Sequence, residues 1–155
     1  EREQKRPAAW PREKWQAPAE FDEASMQWVR VGQVSDFPQD GGAPVNYGNV
    51  QIAVFNFSSR GEWFASQNMC PHKRDLVLAR GIVGEAGGVP KVACPMHKKT
   101  FALSSGQCLS GDCGNIYAFQ VRVDGDTVLV RLPPAHLLEQ ALNASAAVVG
   151  PVRAR

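Results

Sequence analysis

Two short segments, Cys70-Pro71-His72 and Cys94-Pro95-Met96-His97, constrain this chain more than anything else in it. Each brings one sulfur and one imidazole, and twenty-one residues separate the first His from the second Cys. Four such side chains act together only if they converge on one point. Two loops that approach each other achieve this most simply. Pro71 and Pro95 fix φ and remove a backbone donor, which keeps both loops stiff. The rest of the chain must supply a rigid body that delivers the two loops to one end.

The flanking sequence predicts an all-β body. Gln27-Trp28-Val29-Arg30-Val31 alternates, residues 39–44 read as a loop, and 50–57 is rich in β-branched and aromatic side chains. A turn at 58–61 and a return over 62–67 complete a hairpin that leads into the first Cys. Residues 76–78 and 82–83 extend the β pattern, 84–90 read as a turn, and Lys91-Val92-Ala93 delivers the second Cys. Tyr117, Phe119, Val121 and Val123 alternate with smaller or polar neighbours, and Asp124-Gly125 suits a tight turn before Val128, Val130 and Leu132. Leu137, Leu138, Ala141 and Leu142 lie at helical spacing, so a short C-terminal helix is expected.

Composition divides the 155 residues into an extended leader over 1–25, a β domain over 26–134 and a short helix and tail over 135–155. Pro7, Pro11 and Pro18 break any long helix in the leader, while Trp10 and Trp15 point to docking on this domain or a neighbouring one. A net charge of +2 is too small for a nucleic-acid-binding face, and no apolar run is long enough to span a membrane. No secretory signal is visible, and the chain does not begin with Met, which suggests processing or a fragment. Four cysteines are too few for a disulfide scaffold of this size. A reducing cytoplasm with metal-bound thiolates is the expected setting.

Cys70, Cys94, His72 and His97 match the ligand set of a [2Fe–2S] centre in which two Cys hold one iron and two His the other. A zinc-stabilised interaction module is the rival, since two Cys and two His also form structural zinc sites. Those usually open with a wider gap than the single Pro71 between Cys70 and His72. Unrelated buried cysteines and surface histidines are the plainest reading, and the matching Cys-Pro starts and His ends of the two boxes argue against it.

The pair C-P-H and C-P-x-H resembles the Rieske [2Fe–2S] domain. Three longer strings narrow the likeness: Cys70-Pro71-His72-Lys73-Arg74, Leu78-Ala79-Arg80-Gly81-Ile82-Val83-Gly84 and Val92-Ala93-Cys94-Pro95-Met96-His97-Lys98-Lys99-Thr100-Phe101. They resemble the Rieske domain of assimilatory NAD(P)H nitrite reductase. That resemblance implies Rieske-type stacked antiparallel sheets with a two-loop cluster-binding subdomain. Cys70 and Cys94 would hold the ferric iron, and His72 and His97 the iron that is reduced. It further implies electron transfer in the reduction of nitrite to ammonia, with no catalytic residue in this chain. FAD, sirohaem and a [4Fe–4S] cluster would sit elsewhere in the parent enzyme, in flavin and sirohaem domains or a large subunit, which are the expected partners.

The departures from relatives that oxidise quinols are informative. Asp75 and Met96 stand where those proteins carry a pair of disulfide-linked cysteines, and Lys99 and Phe101 stand where they carry Ser and Tyr hydroxyls. Losing hydrogen bonds to the cluster lowers its potential, so the resemblance is to the low-potential branch. A stand-alone Rieske ferredoxin of a ring-hydroxylating oxygenase is the alternative, and the Lys-Arg and Lys-Lys-Thr-Phe flanks argue against it. Cys108 and Cys113 fall in a loop that would cover the cluster. Reduced thiols are expected there in a reducing cytosol, with a regulatory disulfide as the alternative that this spacing permits only through a sharp turn. Lys73, Arg74, Lys98 and Lys99 crowd the two boxes; a solvated basic rim is the plain reading, and offsetting the charge gained on reduction or receiving an acidic partner are the functional ones. His136 is read as a surface residue.

Overall fold

The computed structural model describes residues 21–71, 74–96, 98–111 and 114–149; Trp10, Trp15 and most of the leader lie outside them. Strand β3 (Val50–Phe57) sets the architecture. Its nearly continuous apolar run requires that both faces be covered. Ile52 and Val54 enter one core with Phe37, Val128, Val130 and Leu132, while Ala53, Phe55 and Phe57 enter a second with Leu78, Val92, Phe101 and Leu103. One strand therefore joins two cores.

Three antiparallel sheets enclose those cores. The central sheet runs β2 (Gly41–Tyr47), β3, β4 (Glu62–Gln67), β8 (Ala118–Phe119). Its first face is covered by the sheet of β1 (Gln27–Gln33), β10 (Thr127–Leu132) and β9 (Val121–Asp124). Its second face is covered by β5 (Ile82–Ala86), β6 (Val89–Ala93) and β7 (Thr100–Ala102). Arg60, in the turn after β3, pairs with Glu62 on β4 and Glu85 on β5 and so ties the central and third sheets together.

Two expectations about loops are corrected. Residues 39–44 are not a loop throughout, because β2 pairs with β3 from Gly41↔Asn56 to Tyr47↔Val50. The turn-forming residues serve packing instead. A Cβ on Gly42 would lie 2.6 Å from the Phe55 ring and 2.9 Å from the Ala79 carbonyl, so the ring needs a bare backbone opposite it. Pro44 is tolerated because β2 is an edge strand, where a missing N–H is harmless. The turn expected over 84–90 shrinks to two residues. Pairing of β5 with β6 continues to Ala86↔Val89, and Gly87 and Gly88 take φ of 61° and 84° to close the hairpin.

The ends of the chain seal the first core. Phe21, expected in the leader, is buried, and its ring meets that of Tyr117 edge-on at 5.4 Å. Residues 21–25 thus pack with the domain rather than extending away from it. Helix α1 (Ala135–Val149) buries Leu138 and Leu142 in the same core. The Tyr47 hydroxyl donates to the Pro133 carbonyl at 2.6 Å, fixing where the helix begins. His136 is exposed, as expected of it.

Gly42→Val should lower stability by about 1–3 kcal/mol through forced overpacking against Phe55 and Ala79, measured by denaturant unfolding. Burial raises the Tyr47 phenol above its ordinary pKa of 10.0. A raised folded value stabilises the neutral form below that pH and is lost as pH climbs through it, so the wild type should lose stability in strong alkali. Tyr47→Phe should abolish that alkaline loss, and it should cost about 1 kcal/mol near neutrality through the missing hydrogen bond.

Candidate metal centre

The two cysteine boxes fold into the same backbone turn. The Cys70 N–H donates to the Asp75 carbonyl at 2.8 Å, and the Arg74 N–H returns to the Cys70 carbonyl at 2.7 Å. In the second box the Cys94 N–H donates to the Lys99 carbonyl at 2.8 Å, and the Lys98 N–H returns to the Cys94 carbonyl at 2.8 Å. Each cysteine thus opens a turn closed by a bond to the residue four positions on. Reversal of the chain requires a left-handed residue at that fourth position, and Arg74 (φ 64°) and Lys98 (φ 59°) supply it. Neither is glycine, so both turns hold a conformation that L-residues rarely adopt.

Core packing fixes where the cysteines lie. Cys70 is fully buried and Cys94 is 1% exposed, and both belong to the second core beside Leu78, Val92 and Phe101. β4 delivers the first through Gln67, Asn68 and Met69; β6 delivers the second directly after Ala93. Neither cysteine is in a disulfide. Buried thiols framed by rigid turns suit an iron–sulfur group, for which soft thiolate donors are preferred. His72 and His97 fall inside the two turns by sequence and lie outside the described residues, as does Lys73. Among the described residues no three of His, Cys, Asp and Glu gather about a point.

The third loop corrects one expectation. Cys108 is disulfide-bonded rather than a reduced thiol. The loop that carries it is drawn back on itself: Phe101 bridges Cys108, the Asn115 Oδ1 accepts from the Cys108 N–H at 2.9 Å, and Gly111 turns the chain with φ 91°. Cys113 and Asp112 lie outside the described residues. Around the loops Met96, Leu76 and Leu109 are exposed by 61%, 51% and 41%, and Arg74 and Lys98 stand exposed beside them. Sequence reasoning also passed over Gln67 and Asn68, two amides just before Cys70 that are 3% and 2% exposed. Their only signal was polarity at the end of an otherwise core-directed strand.

Fold and turns together define a small β protein built to present a metal group between two loops. The chain belongs to the Rieske-like [2Fe-2S] domain family, which it matches over residues 27–131. It is 35% identical to the Emericella nidulans nitrite reductase [NAD(P)H], across 92% of this chain and 14% of that protein. This chain therefore spans about one seventh of the fungal relative's length. It is 30% identical to the Escherichia coli nitrite reductase (NADH) small subunit, across 68% of this chain and 97% of the subunit. The NMR structure of the E. coli protein NirD superposes with a TM-score of 0.61 at 30% identity, covering 69% of this chain and 97% of that one. The ferredoxin subunit of a Pseudomonas biphenyl dioxygenase is also similar, at 27% identity over 72% of this chain.

If the left-handed residue is what closes each turn, Lys98→Gly should leave thermal stability unchanged or raised. Lys98→Val should lower it by about 1–2 kcal/mol, because a β-branched side chain strains that conformation.

Proposed function

We propose that this chain carries electrons through a Rieske [2Fe–2S] cluster as a domain or subunit of an NAD(P)H-dependent assimilatory nitrite reductase. The observation that carries the reading is the repeated turn: two buried cysteines, each followed within its turn by one histidine. Cys70 and Cys94 are the thiolate ligands and His72 and His97 the imidazole ligands. Bound there, the cluster supplies one-electron chemistry. The protein's own part is to hold two sulfurs in a dry core and to keep the loops from moving as charge changes. The 26–134 segment is the electron-carrying unit.

Electrons leave toward a partner whose face complements exposed Met96, Leu76 and Leu109 and the cations Arg74 and Lys98. That partner is the large subunit, or the flavin and sirohaem domains of one longer chain, working in the cytoplasm on the path from NAD(P)H to nitrite. Similarity that runs through 92% of this chain to a fungal nitrite reductase favours this reading over a stand-alone oxygenase ferredoxin. No group in this chain is assigned to the chemistry of nitrite itself.

Chemical analysis should find about two irons and two acid-labile sulfides per chain, with a rhombic EPR signal of average g below 2 after dithionite reduction. Cys94→Ala should lose the signal and the iron. A colourless protein that binds zinc and stays EPR-silent would contradict the reading.

A further inference from the structure

The two cysteine turns come from different sheets, β4 of the central sheet and β6 of the third, so something must set their separation. Asn68 holds one end of such a connection. Its backbone N–H donates to the Gln51 carbonyl at 3.0 Å, and its carbonyl accepts from the Leu78 N–H at 3.0 Å. Its side chain repeats the pattern: Nδ2 donates to Gln51 Oε1 at 2.8 Å, and Oδ1 accepts from the Ala79 N–H at 2.7 Å. The backbone N–H and carbonyl and both ends of the side-chain amide of this nearly inaccessible residue thus bond β3 on one side and the 3₁₀ turn Leu78–Arg80 on the other. The base of the first cysteine loop is thereby pinched shut, with Met69 bridging Leu76 inside it.

The other end of the connection is Gly81. A Cβ there would fall 2.4 Å from the Ala93 carbonyl and 3.1 Å from the Leu78 carbonyl. Gly81 thus lets the turn that Asn68 grips press directly on the residue before Cys94. The path runs Cys70, Asn68, Leu78–Ala79, Gly81, Ala93, Cys94, through backbone atoms and one buried amide.

We infer that Asn68 is a positioning residue that, through the turn ending at Gly81, sets the spacing of the Cys70 and Cys94 sulfurs. This rests on the reading of both cysteines as cluster ligands, but the spacing can be read without the cluster. Among the described residues Cys70 and Cys94 are the cysteines outside a disulfide, so a soft cation added to the metal-free chain can probe their spacing. Cadmium(II) bound by two thiolates gives an ultraviolet absorption that reports whether the sulfurs are at bridging distance.

Asn68→Leu should weaken cadmium binding about tenfold, the loss typical of removing an outer support of a metal ligand. It should also shift the g values of the reconstituted, reduced chain. Asn68→Asp keeps the acceptor for Ala79, and the Gln51 amide can turn over to donate to it, but it places a charge in a nearly closed site, so cadmium affinity should recover only in part. Gly81→Ala leaves Asn68 intact but drives the turn off Ala93, and it should reproduce the loss; it decides the matter if Asn68→Leu does not fold. Arg80→Ala, on the exposed side of the turn, should change neither readout. A purely structural role predicts lower melting temperatures with unchanged cadmium affinity and unchanged g values in folded Asn68→Leu and Gly81→Ala, and that result overturns the proposal. Weakened cadmium binding in a chain that never yields a Rieske spectrum would support the spacing role and sink the cluster reading instead.

Discussion

Ile52 and Val54 on one face of β3, and Ala53, Phe55 and Phe57 on the other, are all but closed to water, so one strand is shared by two cores. Burying five such side chains supplies a hydrophobic contribution of about 1.5–3 kcal/mol for each large one, which is the anchor for everything hung from this strand. The second core matters most for function. It contains Cys70 and Cys94 themselves, so a rearrangement that loosened Phe55, Val92 or Phe101 would also move the two sulfurs proposed as cluster ligands. Stability and ligand geometry are one property here.

A rigid floor is not enough, because the loops above it leave Leu76, Met96 and Leu109 exposed to water. The repeated turn solves this with backbone hydrogen bonds. In both boxes the cysteine's N–H and carbonyl are engaged within the loop, and a cationic residue accepts the left-handed conformation that closes it. The first box adds Gln67, whose Nε2 donates to the Met69 carbonyl while its Oε1 accepts from the Tyr117 N–H. The third loop's exit is in this way fastened to the residue before Cys70. Buried amides with all partners present cost little and specify one arrangement. An electron carrier benefits from such stiffness, since a site that does not move between charge states has little structure to reorganise.

Much of this was legible in the chain. The β9–β10 hairpin follows from the alternation of Val121 and Val123 with Val128, Val130 and Leu132 on either side of Asp124-Gly125, and the two boxes pointed to the Rieske-like family by residue type and spacing. The helix after Pro134 was plain from the spacing of Leu138 and Leu142. What stayed hidden shares one cause, which is that a distant part of the fold decides it. Gly42 reads as loop because nothing local shows the Phe55 ring that needs it bare. Arg74 and Lys98 carry no mark of left-handed backbone, since glycine is the usual sign of it. Asn68 looks like an ordinary polar residue until Gln51 and Ala79 are brought to it by folding. Cys108 looked like a reduced thiol because spacing does not show how its loop folds back against Phe101.

The account stands or falls on the mixed ligand set, one imidazole for each thiolate. The most direct measurement is the nitrogen hyperfine spectrum of the dithionite-reduced chain, by electron spin-echo envelope modulation. The account predicts couplings from two imidazole nitrogens, with one of them lost in His72→Cys and the other in His97→Cys. A reduced cluster with no imidazole coupling would mean all-sulfur ligation and would contradict it.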